Sequence, residues 1–215
     1  MLLCRATESG AGCVLCGDYW DLKTFYDTVT SIADAANLSE ELGNQLFGFA
    51  YDLRMAYMGN KETVTIGYDE LDRVEYRGSR HMWPGYLFVV ALLRSSAGWV
   101  TTSKQDQANL YLLEATTHSA LVTAGADAEF VQRWITHFRP TNDYLIDWVE
   151  DANHRYIYGR KRGKRIQRLT DILLSLYETS KEYREFEVAM RRAAMREDCK
   201  PNNLVLEREW PQFRW

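Results

Sequence analysis

Trp83-Pro-Gly-Tyr-Leu-Phe-Val-Val-Ala-Leu-Leu93 is the stretch that organises this chain, because every residue from Tyr86 to Leu93 is apolar. Pro84 is typical of the first turn of a helix, where the missing N–H has no helical acceptor to lose. Gly98 suits the position just after a helix ends. A helix that is apolar on all sides must be buried on all sides. Length and end signals therefore favour a buried central helix, although Val89-Val90 would also suit a buried strand.

Length and composition predict a single packed domain that spans residues 1–215. The chain has 215 residues, of which 46% are hydrophobic and 13% aromatic, so it can bury a core without a metal or a disulfide. Its net charge of −4 gives no global attraction to nucleic acid or to membrane surfaces. Met1–Arg5 lacks a signal peptide's apolar run, and no run reaches the roughly 18 residues of a membrane span. We therefore expect a cytoplasmic protein with no membrane association.

The segments around the central stretch predict a mainly helical α+β fold, in which a helical bundle surrounds the buried helix beside a small N-terminal β-sheet. Leu2–Thr7 and Cys13–Cys16 flank a turn signal and are typical of a β-hairpin. Thr63–Ile66 is a further β-branched strand, and another is suggested around Val74. Caps and amphipathic periodicity predict helices that begin near Asp18 or Asp21, Ser39, Thr101–Ser103, Asp127 and Asp143.

Two helical patterns predict contacts beyond a simple core-facing stripe. The helix after Ser39 has a second apolar stripe opposite its first, which predicts neighbours on two sides. The residues of this second stripe are Phe47, Tyr51, Met55 and Met58. A continuous amphipathic pattern from about Ile166 to Glu197 predicts one helix of roughly 45 Å. One end of so long a helix is expected to protrude or to meet a partner.

The order of several motifs resembles an uncharacterised family of small bacterial proteins, known only as a domain of unknown function. The motifs are Gly17-Asp-Tyr-Trp-Asp-Leu22, Phe25-Tyr-Asp27, Tyr51-Asp-Leu-Arg-Met-Ala-Tyr57 and the Trp83-Pro start of the apolar helix. They cover roughly the N-terminal half of the chain. The resemblance implies a bacterial, cytosolic and mainly helical protein with a small N-terminal sheet. It implies no activity and no catalytic residues.

Cys13 and Cys16 form a Cys-x-x-Cys pair, a spacing that metal knuckles and redox pairs use. A second such pair is missing, and no histidine lies nearby in the sequence. If the two cysteines lie in a strand, side chains three residues apart point to opposite faces. We interpret the thiols as small buried hydrophobic groups and expect no metal and no other cofactor.

The helix that begins at Asp143 carries a candidate protein-binding surface, the acidic face, opposite its apolar side. The acidic face consists of Asp143, Asp147, Glu150, Asp151 and His154. Solvent, a lysine or arginine neighbour, a basic partner or a metal could each meet such a face. The C-terminal tail, residues 199–215, adds the aromatic residues Trp210, Phe213 and Trp215. Aromatic side chains are typical interface anchors, but packing back on the domain is the simpler expectation.

A basic segment follows the acidic face, with six positive charges within nine residues. These charges belong to Arg160, Lys161, Arg162, Lys164, Arg165 and Arg168. Such a cluster can follow phosphates, and the nearby Tyr156 and Tyr158 can stack on bases. A solvated loop, or a loop folded over the acidic face, would have the same sequence.

The leading hypothesis for function is a non-enzymatic protein-interaction module, of an immunity, antitoxin-like or defence-associated kind. Its partner would be another protein or a second copy of the chain. The sequence has no nucleophile elbow, phosphate-binding loop or zinc-protease motif, so we predict no catalytic residues. A nucleic-acid-binding protein that uses residues 160–168 is one alternative. An enzyme with a scattered site is another, and a deep pocket at His118 or His154 would favour it.

Overall fold

The computed structural model describes residues 1–66, 73–140, 145–158, 165–200, 204 and 209–215, and it confirms the mainly helical α+β class. The strands are β1 (Leu3–Ala6), β2 (Gly12–Gly17), β3 (Glu62–Ile66) and β4 (Val74–Met82). The helices are α1 (Tyr19–Ala35), α2 (Glu40–Tyr57), α3 (Trp83–Ala97), α4 (Lys104–Ala124), α5 (Ala128–His137), α6 (Leu145–Tyr158), α7 (Leu169–Ser175) and α8 (Lys181–Arg196). No helix in these ranges is both long and apolar enough to cross a membrane.

α3 is the buried central helix that the sequence predicts. Every residue from Tyr86 to Leu93 is buried, Pro84 lies in the first turn, and Gly98 caps the end. The helices α1, α2, α4, α5, α6 and α7 all contact α3. Burial of each large apolar side chain contributes about 1.5–3 kcal/mol relative to exposure, so α3 supplies much of the core's stability.

The four strands form one antiparallel sheet in the order β1-β2-β4-β3, which confirms the predicted hairpin of β1 and β2. β4 lies in the sheet interior and is longer than its polar sequence suggests. A Cβ on its Gly78 would lie 2.8 Å from the Cβ of Cys16, so only glycine allows β2 and β4 to approach here. β4 runs directly into α3, which places His81 beside the N-terminal end of the central helix.

The predicted single helix from Ile166 to Glu197 is wrong, because the chain breaks into α7 and α8. Ser180 caps α8 by accepting a 3.0 Å hydrogen bond from the backbone N–H of Tyr183. The same hydroxyl donates a 2.8 Å hydrogen bond to the carbonyl oxygen of Ser175, at the end of α7. The prediction that the second stripe of α2 is covered is also wrong, since Phe47, Tyr51 and Met58 are exposed.

Cys13 and Cys16 both lie in β2, so the strand expected for the Cys-x-x-Cys pair is confirmed and the two side chains point to opposite faces. Both are buried free thiols, as is Cys4 in the neighbouring strand. Burial raises the pKa of Cys16 to about 11 and raises the pKa of Cys13 well above its ordinary value. The thiols of β2 are therefore protonated at neutral pH and are poor nucleophiles.

Candidate functional site

The described residues of the acidic face, which lie on α6, differ in their surroundings. The carboxylate of Asp151 accepts a 2.6 Å hydrogen bond from Nε of Arg155, one turn later on the same helix. Glu150 is exposed and lines a cleft on one side of α6, whereas Asp147 is half-buried. Asp143 lies outside the described residues. The charge of Asp151 is therefore largely compensated within α6 itself.

The described end of the C-terminal tail, residues 209–215, folds back onto α6 and the core. Nε2 of His154 lies 3.1 Å from the carbonyl oxygen of Glu209, and its ring centre lies 5.6 Å from that of Trp210. The rings of Phe213 and Trp215 meet edge to face and pack against the core. The structure thus brings His154 and the tail together through contacts within one chain.

Of the basic segment, the structure describes Arg165 and Arg168, both of which are half-buried. Nη1 of Arg165 lies 3.5 Å from Oγ of Ser9, in the turn of the β1–β2 hairpin. Burial raises the pKa of Tyr156, and the positive charges of Arg165 and Arg168 partly oppose that rise. These two arginines therefore lie against the domain. The remaining four cations, Arg160, Lys161, Arg162 and Lys164, lie outside the described residues.

A group of exposed apolar side chains, here called the aromatic face, lies on α1 and α2. It consists of Tyr19 and Trp20 on α1, of Phe47 and Tyr51 on α2, and of Met58, which caps the end of α2. The spacing of the last three residues places them on one side of the helix. The ring of Tyr19 lies 5.0 Å from that of Trp20 and 5.4 Å from that of Tyr57, which joins the start of α1 to the end of α2. Clusters of large exposed apolar groups mark interaction sites more often than single ones do.

A cleft of about 450 Å³, here called the His81 cleft, opens between α2, the junction of β4 with α3, α6 and the tail. It brings together two residues that the sequence proposed for separate surfaces, Glu150 of the acidic face and Trp215 of the tail. Its other polar side chains include Gln45, Asp52, Arg80, His81 and Asn153.

Asp52 and Arg80, two of the charged side chains that line the cleft, each have an ionic partner. The carboxylate of Asp52 lies 2.9 Å from Nζ of Lys61, and Nη2 of Arg80 lies 2.9 Å from the carboxylate of Glu62. The guanidinium of Arg80 also lies 6.0 Å from the ring centre of Trp215. These pairs are partly exposed and contribute little to stability, but they set the local charge balance.

His81 is the central side chain of the cleft, with a side chain only 11% exposed. Its ring lies between Phe49 and Tyr86, at 5.2 and 5.8 Å between ring centres. Burial lowers the pKa of His81 to about 4. Nε2 is 2.7 Å from Oγ of Ser79, and Nδ1 is 4.0 Å from Oδ2 of Asp52. This order resembles a hydrolase triad, but Ser79 is 1% exposed within the sheet and does not line the cleft, so it is not placed to attack a substrate.

A deep pocket at His118 or His154 would have favoured the enzyme alternative, whereas the His81 cleft centres on another histidine. Ser79 and His81 are two residues apart on β4, and side chains at that spacing lie on the same face of a strand. Their contact could therefore be suspected from the sequence, although only weakly. Asp52 reaches the cleft only because α2 packs beside β4 in the folded protein. Periodicity predicts which face of a helix is buried, but it does not predict that packing partner.

Comparison with curated proteins and with solved structures finds no match to this chain. A family match extends over residues 2–215, well beyond the N-terminal half in which the motif resemblance lies. This match covers the sheet, the central helix and the residues of the His81 cleft. The chain therefore belongs to the family described as domain of unknown function DUF6904.

Proposed function

We propose that this protein is a non-enzymatic protein-interaction module that holds a basic partner protein on its aromatic face. The observation that carries the proposal is the exposure of large apolar side chains on two adjoining helices. Trp20, Tyr51 and Met58 are 72%, 57% and 53% exposed. Aromatic side chains are the commonest anchors of protein interfaces, where their burial supplies much of the binding free energy.

The charges on α1 and α2 indicate the chemistry of the partner. The segment from Asp18 to Lys61 has seven carboxylates and three cations. Two of those cations, Lys23 and Lys61, already pair with carboxylates of the same segment. A partner that surrounds an apolar contact with lysine and arginine is complementary to this excess of negative charge.

This proposal places the interface on α1 and α2 instead of on the acidic face of α6. Asp151 is already paired with Arg155, and Glu150 belongs to the His81 cleft. A bacterial origin, a cytoplasmic location and an immunity, antitoxin-like or defence-associated role belong to the same proposal. The origin and the location rest on the motif resemblance described above, whereas the role rests on the negative net charge, the aromatic residues and the lack of a recognisable catalytic motif in the sequence. A second copy of the chain is the alternative occupant of the aromatic face.

Selection from a displayed library of random peptides tests the proposal with a defined probe. The targets are the wild type, a face variant with Trp20→Ser and Tyr51→Ser, and a control variant with Trp99→Ser. Trp99 is 85% exposed but lies beyond the end of α3, outside the aromatic face. We expect peptides rich in basic and apolar residues to be enriched on the wild type and on the control, but not on the face variant.

Salt and self-association measurements separate the remaining outcomes. Binding of the enriched peptides should weaken as salt screens the complementary charges. Equal enrichment on the face variant, or no enrichment on any target, contradicts the proposal. Dimerisation in sedimentation equilibrium that the face variant abolishes would assign the surface to a second copy of the chain instead.

A further inference from the structure

The protonation state of His81 determines what its cleft can bind. With the lowered pKa described above, the ring is neutral at physiological pH. Ser79 lies 2.7 Å from Nε2, and a hydroxyl that donates to Nε2 leaves the single ring proton on Nδ1. The carboxylate of Asp52 lies on the Nδ1 side of the ring and favours the proton at that nitrogen. His81 then presents an N–H group on the side of Asp52, which lines the same cleft.

The space between His81 and Asp52 fits a group that both donates and accepts a hydrogen bond. Nδ1 of His81 and Oδ2 of Asp52 are 4.0 Å apart, too far for a direct hydrogen bond. A ligand hydroxyl between them accepts from the Nδ1–H and donates to the carboxylate. A metal or ammonium cation offers no acceptor to the Nδ1–H. A carboxylate or a fully ionised phosphate group offers no donor and is repelled by Asp52.

The surrounding polar groups also favour an uncharged ligand. Arg80 is paired with Glu62, and the other carboxylate oxygen of Asp52 is paired with Lys61. The side-chain oxygen of Asn153 accepts a 2.9 Å hydrogen bond from the backbone of Gly85, so the N–H groups of this amide are the ones it can offer a ligand. Because the charges of Arg80 and Asp52 are already compensated, these two side chains do not require a charged ligand.

Size and apolar surface complete the description of the ligand. A volume of about 450 Å³ is within the range of small-molecule sites. Trp215, Val89 and Ile146 supply apolar surface around the polar groups. We propose that the His81 cleft binds an uncharged ring molecule with several hydroxyl groups, such as a monosaccharide or the ribose of a nucleoside. This site is separate from the aromatic face and does not depend on the proposed protein interaction.

Saturation-transfer NMR titrations of the full chain with matched pairs of probes test the inference. The neutral probes are glucose, ribose, adenosine and uridine. The charged counterparts are glucosamine, glucuronate and glucose 6-phosphate for glucose, ribose 5-phosphate for ribose, and the 5′-monophosphates for adenosine and uridine. We expect at least one neutral probe to saturate the cleft and its charged counterparts to bind more weakly. Binding of sugars alone assigns a saccharide ligand, and binding of nucleosides alone assigns a nucleoside.

Variants of Asp52 and His81, the two side chains proposed to hydrogen-bond the ligand, show whether binding occurs in the cleft. Asp52→Asn should weaken the affinity roughly tenfold or more, because it replaces a charged acceptor with a neutral amide. His81→Phe keeps the ring between Phe49 and Tyr86 but removes the Nδ1–H, and should weaken binding similarly. Asp27→Asn is the matched control, since it removes a carboxylate that also pairs with a lysine but lies on the exposed side of α1. The control should bind as the wild type does.

Three results would overturn the inference. They are no saturable binding of any neutral probe, tighter binding of a charged counterpart, and unchanged affinity in both Asp52→Asn and His81→Phe. Circular dichroism checks that each variant is folded. If a variant does not fold, its affinity measurement is replaced by NMR chemical-shift mapping of the ligand on the wild type. The amide of Gly85 and the side chain of Asn153 must then shift on addition of the bound probe, and unshifted signals would place the ligand elsewhere.

Discussion

The backbone N–H of Gly85 donates a 2.9 Å hydrogen bond to the side-chain oxygen of Asn153, and this contact joins the first turn of α3 to α6. Both residues line the His81 cleft. Backbone N–H groups in the first turn of a helix have no helical acceptor, so an acceptor from another element is needed there. The helix that organises the core therefore also shapes the cleft, at the end where its backbone N–H groups have no helical acceptor.

Gly85→Ala should separate stability from ligand binding. The added Cβ would lie 2.8 Å from Nδ2 of Asn153, so the amide must move and its hydrogen bond is lost. That loss of about 0.5–1.5 kcal/mol is offset by up to about 1 kcal/mol of helix propensity. In urea unfolding, the free energy of unfolding should change by less than about 1 kcal/mol. The affinity for a ligand in the cleft should nevertheless fall.

Gly43→Ala is the control for Gly85→Ala, because a Cβ at Gly43 in α2 meets nothing within 4 Å. It should raise the free energy of unfolding by about 0.5–1 kcal/mol. If Gly85→Ala stabilises the protein as much as Gly43→Ala does, the bond to Asn153 contributes nothing.

Phe88→Ala should show that α3 is the core. Phe88 is fully buried, and its ring lies 6.1 Å from that of Phe138 on the neighbouring segment. Removal of a buried phenylalanine costs about 3–5 kcal/mol, a large part of the stability of a typical domain. Val188→Ala on the exposed side of α8 should change the unfolding free energy by less than about 0.5 kcal/mol. Equal melting temperatures for the two variants would refute the central role of α3.

The central helix could be predicted because its signals are local. An unbroken apolar run, Pro84 at its start and Gly98 at its end all lie within one short stretch of sequence. The break between α7 and α8 could not be predicted in the same way. Leu176 and Tyr183 continue the apolar periodicity across it, and neither glycine nor proline lies between them. Ser180 is the cap, but serine is also tolerated inside helices.

The surfaces were harder to predict than the core, for a different reason. Tyr51 and Met58 are apolar whether or not another element covers them, so the sequence pattern does not separate a core stripe from an open one. The cleft is assembled from α2, the end of β4, α6 and the tail. Asp52, His81 and Trp215 meet only because of tertiary packing, which no local spacing encodes.

Ser180→Ala should weaken the start of α8. The hydroxyl accepts from the N–H of Tyr183 and donates to the carbonyl of Ser175, so its removal leaves both groups without this partner. Loss of an N-cap costs about 1 kcal/mol. Ser31→Ala, at an exposed interior position of α1, should instead stabilise by a few tenths of a kcal/mol. Chemical denaturation of both variants checks the difference, and a neutral Ser180→Ala would show that the break has another cause.

His81 should make stability depend on pH. Its ordinary pKa of 6.5 applies to the unfolded chain, whereas burial lowers the folded value to about 4 despite the opposing charge of Asp52. Between these values only the unfolded chain binds the proton, so stability is complete above about pH 6.5 and falls as the pH approaches 4. The loss amounts to about 3 kcal/mol. His81→Gln cannot take up this proton, and should show a smaller loss between pH 7 and pH 4.5. Parallel profiles for the two proteins would contradict the neutral, buried state of His81.

Nucleic-acid binding by the basic segment stays a prediction, and the described arginines argue against a free cationic patch. Arg165 and Arg168 are half-buried, and Arg165 lies beside Ser9 in the hairpin turn. We therefore expect the wild type not to retain single-stranded RNA at physiological salt. Arg165→Ser should lower the melting temperature, whereas Arg184→Ser, on an exposed position of α8, should not. A wild type that binds RNA with a log–log salt slope of about −0.7 per phosphate contact would reverse this view. That binding would belong to the segment only if serine at positions 160, 161, 162, 164 and 165 abolishes it while Arg184→Ser leaves it intact.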